Sequence, residues 1–518
     1  MTTNDRRSEV SRQDEDDEAK SSSTVESAPG NRAAAHLLHA GAIALVTFAA
    51  YRSSLPFELL GDAEMLITQN EELRDWSNFG RMFTADFFGS SVLGPIGYWR
   101  PLTKVSWFLE YRAGNGSPTV FNAIQVLWVV ATALATRALA LALGVGPRAA
   151  TASALCVSLA PAMVEPGCLV MARSDLSAAA GIATTLAAWL RWQDTGRRRY
   201  LVAHVAACCV ALASKESAVL IAPLIGVWAL LAGRHGQRSA AASLVRGVAP
   251  AAVSIALYLL VRGVVLPPGE TQVVFDPVRI VVGGAAYVQG IMPFLVESTI
   301  RNLPRAAARS WPFLAGAIAT WAAFAAAGVA AFRRGGRRLG ALWLWVPISL
   351  SAVLLVVDMN VPGAAGSYPL SDRWALPALV ATSVTLCGLA PLVLTAPVLR
   401  LVAGLFVVWV GAMTALGPAL HAPYANRVAY LAVEDADYEA TPTEFRTPVS
   451  VCRAFERTLV RAIHEGDAAA GFAARDAALE SGCPIHLDLE VNVLTLLVRA
   501  HRYDEALPVA ESLARRPG

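Results

Sequence analysis

The chain has 518 residues, 55% of them hydrophobic and 16% charged, with a net charge of +3. A soluble domain carries about 25% charged residues, so this composition, at a mean hydropathy of +0.47, excludes a soluble enzyme, a secreted disulfide scaffold and a disordered chain. The positive balance is too slight to imply a nucleic-acid partner, and the fold class that remains is an all-α polytopic membrane protein.

Residues 1–32 hold eight acids and five bases and almost no large apolar residue. Such a stretch cannot bury enough surface to offset its ordering entropy and is expected to be a disordered cytoplasmic tail. It lacks the basic-then-apolar start of a signal peptide, so the first apolar segment reads as a retained anchor. A helix needs about 20 apolar residues to cross a ~30 Å hydrocarbon core. Segments that qualify begin near 34, 121, 147, 171, 200, 217, 246, 311, 340, 374 and 396. The stretch 278–297 is poorer, because Gly283, Gly284, Gln289 and Pro293 make a bad lipid-facing helix.

Basic clusters set the orientation by the positive-inside rule. They fall at Arg191 with Arg197–Arg199, at Arg234, Arg238 and Arg246, and at Arg333, Arg334, Arg337 and Arg338. All three lie inside if the N-terminus is cytoplasmic and 278–297 is a re-entrant or interfacial element on the outer side. About eleven spans follow, in a membrane domain over 33–418, with the region 419–518 outside. Arg- and Ala-rich, Lys-poor usage points to a high-GC genome and hence to a bacterial inner membrane.

On this map the outer side holds a long first loop, 53–119, rich in aromatics such as Trp76, Phe83, Phe87, Phe88, Trp99 and Trp107. Amphipathic helices lying on the bilayer surface would suit it. Asp62, about ten residues past the first span, can act as general base for a hydroxyl nucleophile or be a solvated loop acid. Other ionisable residues gather at the outer helix ends: Glu165, Arg173, Asp175, Lys215, Glu216, Arg262, Arg301, Arg305, Arg309, Asp372 and Arg373. Charges at membrane depth are costly and usually functional. Singly each could be a helix cap or a snorkelling anchor; together they fit a site for an anionic head group, since arginine donates bidentate hydrogen bonds to phosphate.

Six elements along this side carry a resemblance. They are Asp62 with Ile67 and Asn70, FTADFFG (Phe83 to Gly89), YWRPL (Tyr98 to Leu102), ARSDLS around Arg173 and Asp175, ASKESAVLIAP with Lys215, Glu216 and Pro223, and SDRWALP with Asp372, Arg373 and Pro377. The chain thereby resembles the GT-C membrane glycosyltransferases, most of all the transmembrane and tetratricopeptide repeat-containing O-mannosyltransferases. Their pattern reads DDxxxIxxN, FxxDFWG, YRPL, GRADLL, LSKExAxxxP and ERYxYLP in the same order. The second acid of their pair is Ala63 here, followed by Glu64, and their histidines are replaced by Asn122, Trp128, Ala160 and Met163.

The resemblance implies an inverting transferase that moves a sugar, mannose among the candidates, from a polyprenyl-phosphate donor to a hydroxyl on a protein or glycan at the outer face. Asp62 would deprotonate the acceptor. Arg173, Lys215, Arg262 and Arg373, with Arg100, would stabilise the leaving phosphate, and Glu165, Asp175 and Glu216 would complete the substrate site. Arg100 could equally fix the loop by pairing with an acid. No cofactor follows, and the altered histidines leave metal dependence open. A transporter or flippase for a lipid-linked sugar, or a catalytically lapsed scaffold, are the competing readings.

The polar tail after 449 has a helical pattern, and Tyr503 and Ala506 sit where half a tetratricopeptide repeat would place them. About three such repeats are normally needed and about two fit, so the region reads as a short TPR-like platform for the acceptor or as an ordinary helical cap. Cys452 and Cys483 could pair if this region is extracytoplasmic. Cys156, Cys168, Cys208, Cys209 and Cys387 lie in or beside apolar segments and read as small hydrophobes.

Overall fold

The computed structural model describes residues 29–59, 63–68, 70–88, 97–232, 240–266, 276–294, 303–356, 367–368, 370–421, 467–480, 493–494, 497–498 and 502–514. Residues 1–28, Asp62, Arg234, Arg238, Arg301, Cys452 and Cys483 lie outside that set.

The membrane domain is a helical bundle. Its longer helices are α1 (Pro29–Tyr51), α2 (Pro101–Gly114), α3 (Pro118–Ala142), α4 (Pro147–Leu159), α5 (Arg173–Thr195), α6 (Arg198–Ser214), α7 (Ile221–Ala232) and α8 (Ala240–Val265). They continue with α9 (Gly284–Gly290), α10 (Trp311–Arg334), α11 (Gly336–Trp343), α12 (Trp345–Val356), α13 (Leu376–Val393) and α14 (Ala396–His421). Helices α2, α3 and α4 each open on proline, whose fixed φ suits the first helical position and whose missing N–H costs nothing there. Asn115 and Gly196 close α2 and α5 in the left-handed conformation. The one strand pairing among the described residues is a two-residue antiparallel contact, Leu303–Pro304 with Ser367–Tyr368.

Among the described residues, seven helices are long and apolar enough to cross a membrane, or eight if the pair Pro147–Leu159 and Pro161–Cys168, bent by 58°, is one span. The segments expected near 171, 200 and 217 form α5, α6 and a short apolar helix Glu216–Leu231. The latter two are short, and α5 is too rich in Ala, Ser and Thr to pass as apolar. Yet α5 is buried along almost its whole length between α3 and α6. Small residues, rather than hydropathy, suit a helix whose neighbours are other helices. Its hydroxyls close on their own helix: Ser177 donates to the Arg173 carbonyl at 2.7 Å and Thr185 to that of Gly181 at 2.7 Å.

The stretch 278–297 begins as a helix whose turns Arg279–Gly283 and Gly284–Gly290 are largely buried against α10 and α12. At 1.5 Å per residue, these 12 residues reach about 18 Å, short of a bilayer crossing. The last helix returns to the first. His421 of α14 stacks on Tyr51 with ring centres 4.7 Å apart, and its Nδ1 lies 3.2 Å from the Ser53 hydroxyl. The end of the membrane domain therefore sits beside the start of the first loop.

That loop differs from the expected surface helices. Its aromatics build a core of their own, in which Phe87, Trp107 and Phe108 are buried with Leu66, Ile67 and Met82, while Trp76 and Phe83 stay exposed. In the tail, Ala468–Glu480 and Tyr503–Ala514 are helical, and Ala506 is buried with Ala474 and Leu497 while Tyr503 is exposed.

The α5–α6 contact depends on Gly181, where a Cβ would stand 2.7 Å from the Ala211 Cβ and 3.0 Å from its Cα. Gly181→Val should therefore lower stability by about 1–3 kcal/mol through overpacking, read as a fall in melting temperature of the detergent-purified protein. An unchanged melting curve would show that the two helices can part freely.

Candidate functional site

The helix ends that the sequence expects on the outer side enclose a cavity of about 390 Å³. It is lined by Phe87, Phe88, Tyr98 and Arg100 of the first loop, by Ser174 and Asp175 of α5, and by Lys215–Ser217 in the turn after α6. Tyr258, Leu259 and Arg262 of α8, Val353 of α12, and Arg373, Trp374 and Pro377 at the start of α13 complete it. Six of the nine expected site residues thus meet there: Arg100, Asp175, Lys215, Glu216, Arg262 and Arg373.

Their charges pair across elements. The Arg100 guanidinium grips Glu216, with Nε 3.0 Å from Oε2 and the terminal nitrogen also at 3.0 Å. It lies over the rings of Tyr98 and Phe87 at 4.6 and 4.9 Å. The Trp99 amide also donates to Glu216, at 3.1 Å. Of the two sequence readings of Arg100, the structure thus displays the loop-fixing pair. The neighbouring Lys215 turns the other way and pairs with Asp175. Arg262 donates to the Gly97 carbonyl at 2.6 Å, and among the described residues it has no carboxylate partner. Arg373 reaches Glu165 only at 4.0 Å, and its Nε is buried without a hydrogen-bond partner.

Four cations and two carboxylates therefore line the cavity, an excess of two positive charges. Arg100 and Lys215 are neutralised by the two acids, which leaves Arg262 and Arg373 as the cations with capacity for an incoming anion.

Two expected residues stand back from the cavity wall. Glu165 holds the turn that carries Arg373, accepting from the Ser371 hydroxyl at 2.7 Å and the Asp372 amide at 2.8 Å. Arg173 is 1% exposed and does not line the cavity. Its guanidinium pairs with Glu110 of α2 and donates to Gln125 Oε1 at 3.2 Å and to the Phe121 carbonyl at 2.9 Å. The pair bolts the first loop to α5, so the phosphate role expected of Arg173 does not fit its position. Burial pushes the Glu110 carboxyl above its ordinary range although Arg173 opposes the shift.

Asp62, the expected base, lies outside the described residues, and the chain on both sides is anchored: Leu59 and Ala63 are buried in the loop core that includes Phe87 and Phe88. The acid of FTADFFG has a structural task. Asp86 accepts from the Phe88 amide at 2.7 Å and the Gly97 amide at 2.7 Å, tying Phe88 to Gly97. Lys104, held below the usual lysine range by burial, donates to its carbonyl at 3.2 Å. The sequence does not mark Glu110, Gln125 or Tyr258 as site residues. A lone acid in the aromatic run WFLEYR was the available signal for the first of these. Among the described residues, no group of three His, Cys, Asp or Glu is placed to hold a metal ion.

Among solved structures, the chain is similar to the crystal structure of ArnT from Cupriavidus metallidurans in the apo state, at 17% identity and a TM-score of 0.43, over 93% of this chain and 78% of that one. No family model matches the chain, and no curated protein matches it.

Arg173→Met leaves the Glu110 carboxylate buried without its counter-charge, and breaking such a pair costs roughly 3–5 kcal/mol. The melting temperature should fall sharply, and adding Glu110→Gln should recover part of the loss. A single variant as stable as the parent would contradict the bolt.

Proposed function

We propose that the chain is a GT-C-type glycosyltransferase that moves a sugar from a polyprenyl-phosphate donor to a hydroxyl acceptor at the outer membrane face. The observation that carries this reading is convergence. Five of the six sequence elements, spread from residue 83 to 377, contribute Phe87, Arg100, Asp175, Lys215 and Arg373 to one cavity.

The cavity also has the character such a donor needs. Its cationic end suits a phosphate, and its apolar wall includes Ile182, Leu220, Leu224 and Leu259. Leu259 is 51% exposed on α8, beside Leu257 and Leu260 on the same outward helix. An isoprenoid tail could leave the cavity there without crossing a polar layer. A soluble sugar nucleotide would have no use for that wall.

In the transfer, the acceptor oxygen forms a bond to the anomeric carbon while the bond from that carbon to the phosphate oxygen breaks. Asp62 is assigned to take the acceptor proton. The charge that develops on the departing polyprenyl phosphate is met by Arg262 and Arg373, whose donors are in place before reaction and lose nothing to reorganisation. Asp175 and Glu216 hold Lys215 and Arg100 at the rim and so shape the sugar site. Mannose as the sugar, and a protein or glycan as the acceptor, rest on the resemblance.

Purified protein incubated with radiolabelled polyprenyl-phosphate mannose and periplasmic extract should label an acceptor. Asp62→Asn should reduce labelling by about 10²-fold or more, as loss of a general base does. Arg262→Gln should lower kcat/KM for donor roughly tenfold, the worth of one charge-assisted hydrogen bond, with most of the loss in kcat because the contact strengthens as the phosphate departs. Donor binding that is absent in the parent protein would sink the reading. Labelling that survives Asp62→Asn would remove only the assignment of the base.

A further inference from the structure

A second cavity, of about 420 Å³, opens at the opposite ends of the helices. Helix α13 fixes the relation between the two: Pro377 in its first turn lines the first cavity, and Pro391 near its end lines the second. The separation of 14 residues is about 21 Å along a helix. Three segments form the walls: Leu143–Gly146 between α3 and α4, Gly335–Leu339 at the junction of α10 and α11, and Gly388, Pro391 and Leu392 of α13. All three fall on the side that the arginine clusters mark as cytoplasmic.

The lining has two characters. Leu143, Val145, Leu339 and Leu392 make an apolar floor, and Leu392 is 56% exposed. Arg337 and Arg338 supply the charge. Arg338 is shared with Asp194 at 3.3 Å; Arg337 is exposed and has no acidic partner among the described residues. The stretches that form the walls and their continuations, 143–150, 333–339 and 391–400, contain six arginines and no acid. Glycines at 144, 146, 335 and 336 keep the walls free of side chains, so a group of several heavy atoms can approach the backbone.

We propose that this cavity binds the headgroup of an anionic phospholipid. Arg337 and Arg338 contact its phosphate, and its acyl chains lie on the apolar surface continuing from Leu392. A basic recess between helix ends is the form such sites take, and the planar guanidinium matches phosphate geometry. A free phosphate ion would draw nothing from the apolar floor, which is why the lipid is the favoured occupant.

The test uses the full-length protein purified in a zwitterionic detergent, with lipid retention read by native mass spectrometry after titration with phosphatidylglycerol or phosphatidylcholine. The parent protein should retain phosphatidylglycerol in clear preference. Arg337→Gln with Arg338→Gln should cut that retention at least tenfold, while Arg198→Gln with Arg199→Gln should leave it within twofold. Gly146→Phe keeps every charge, has an ordinary φ of −60°, and places its Cβ where nothing lies within 4 Å; by filling the cavity it should also cut retention. This variant keeps the test decisive if the arginine pair proves necessary for folding. Equal retention of the two lipids would overturn the proposal, as would an equal loss in the Arg198 and Arg199 control or undiminished retention in Gly146→Phe. Displacement of the lipid by millimolar inorganic phosphate would show an anion site without lipid selectivity and would likewise overturn it.

Discussion

A charged side chain in a low-dielectric bundle is tolerated only beside its counter-charge, and this requirement organises the half of the molecule that holds the first cavity. Lys215 and Glu216 are adjacent in sequence but serve different partners: Lys215 turns to Asp175 on α5, Glu216 to Arg100 on the first loop. One two-residue turn thereby fixes a helix and a loop whose residues lie 40 and 116 positions away. Arg173 and Glu110 repeat the device one layer deeper. The ion pairs hold the cavity walls in register as well as lining them, and removing one partner would disturb shape and charge together.

Pairing at this range requires α5 to stand at the centre of the bundle, and its sequence explains how it can. Ser, Ala, Gly and Thr dominate SDLSAAAGIATTLAA, allowing α6 to approach until Gly181 touches Ala211. A helix of large aliphatic residues would have passed a hydropathy test and kept α6 too far away for Lys215 to meet Asp175. Low apolarity and central position are therefore two results of one composition. The charged residues at the start of α5 can be buried because the helix behind them packs closely enough to hold their partners.

The same logic shows what could be read in the sequence. Position along the chain, combined with the arginine bias, groups Arg100, Asp175, Lys215, Glu216, Arg262 and Arg373, and these six line one cavity. Glu165 lies just behind it, positioning Arg373. In the sequence Arg173 carries no sign of its place, because a buried structural arginine and a phosphate-binding one look alike until the acid is located. Glu110 is 63 residues distant in the chain and carries no local mark of its role. Hydropathy taken one stretch at a time does not explain α5, α6 and the short helix after Lys215, which owe their places to neighbours. The aromatics of the first loop were legible as amphipathic but not as a core, since only tertiary contact separates a ring turned to lipid from one packed on Trp107.

The charge balance of the first cavity bears on what it can hold. Two of its four cations are matched by carboxylates in contact, while Arg262 is satisfied by a carbonyl and Arg373 by a carboxylate at the limit of ion-pair distance. Neither of these two guanidinium groups has a carboxylate in close contact, so this arrangement suits a guest that carries negative charge. A phosphate diester or monoester of charge −1 to −2 would match the excess, and the apolar wall beside it would match a lipid tail. A neutral oligosaccharide would answer only the polar rim, and a lipid without a phosphate only the wall. The cavity joins both characters, with Arg262 of α8 and Arg373 in the turn before α13 on one surface with the apolar wall.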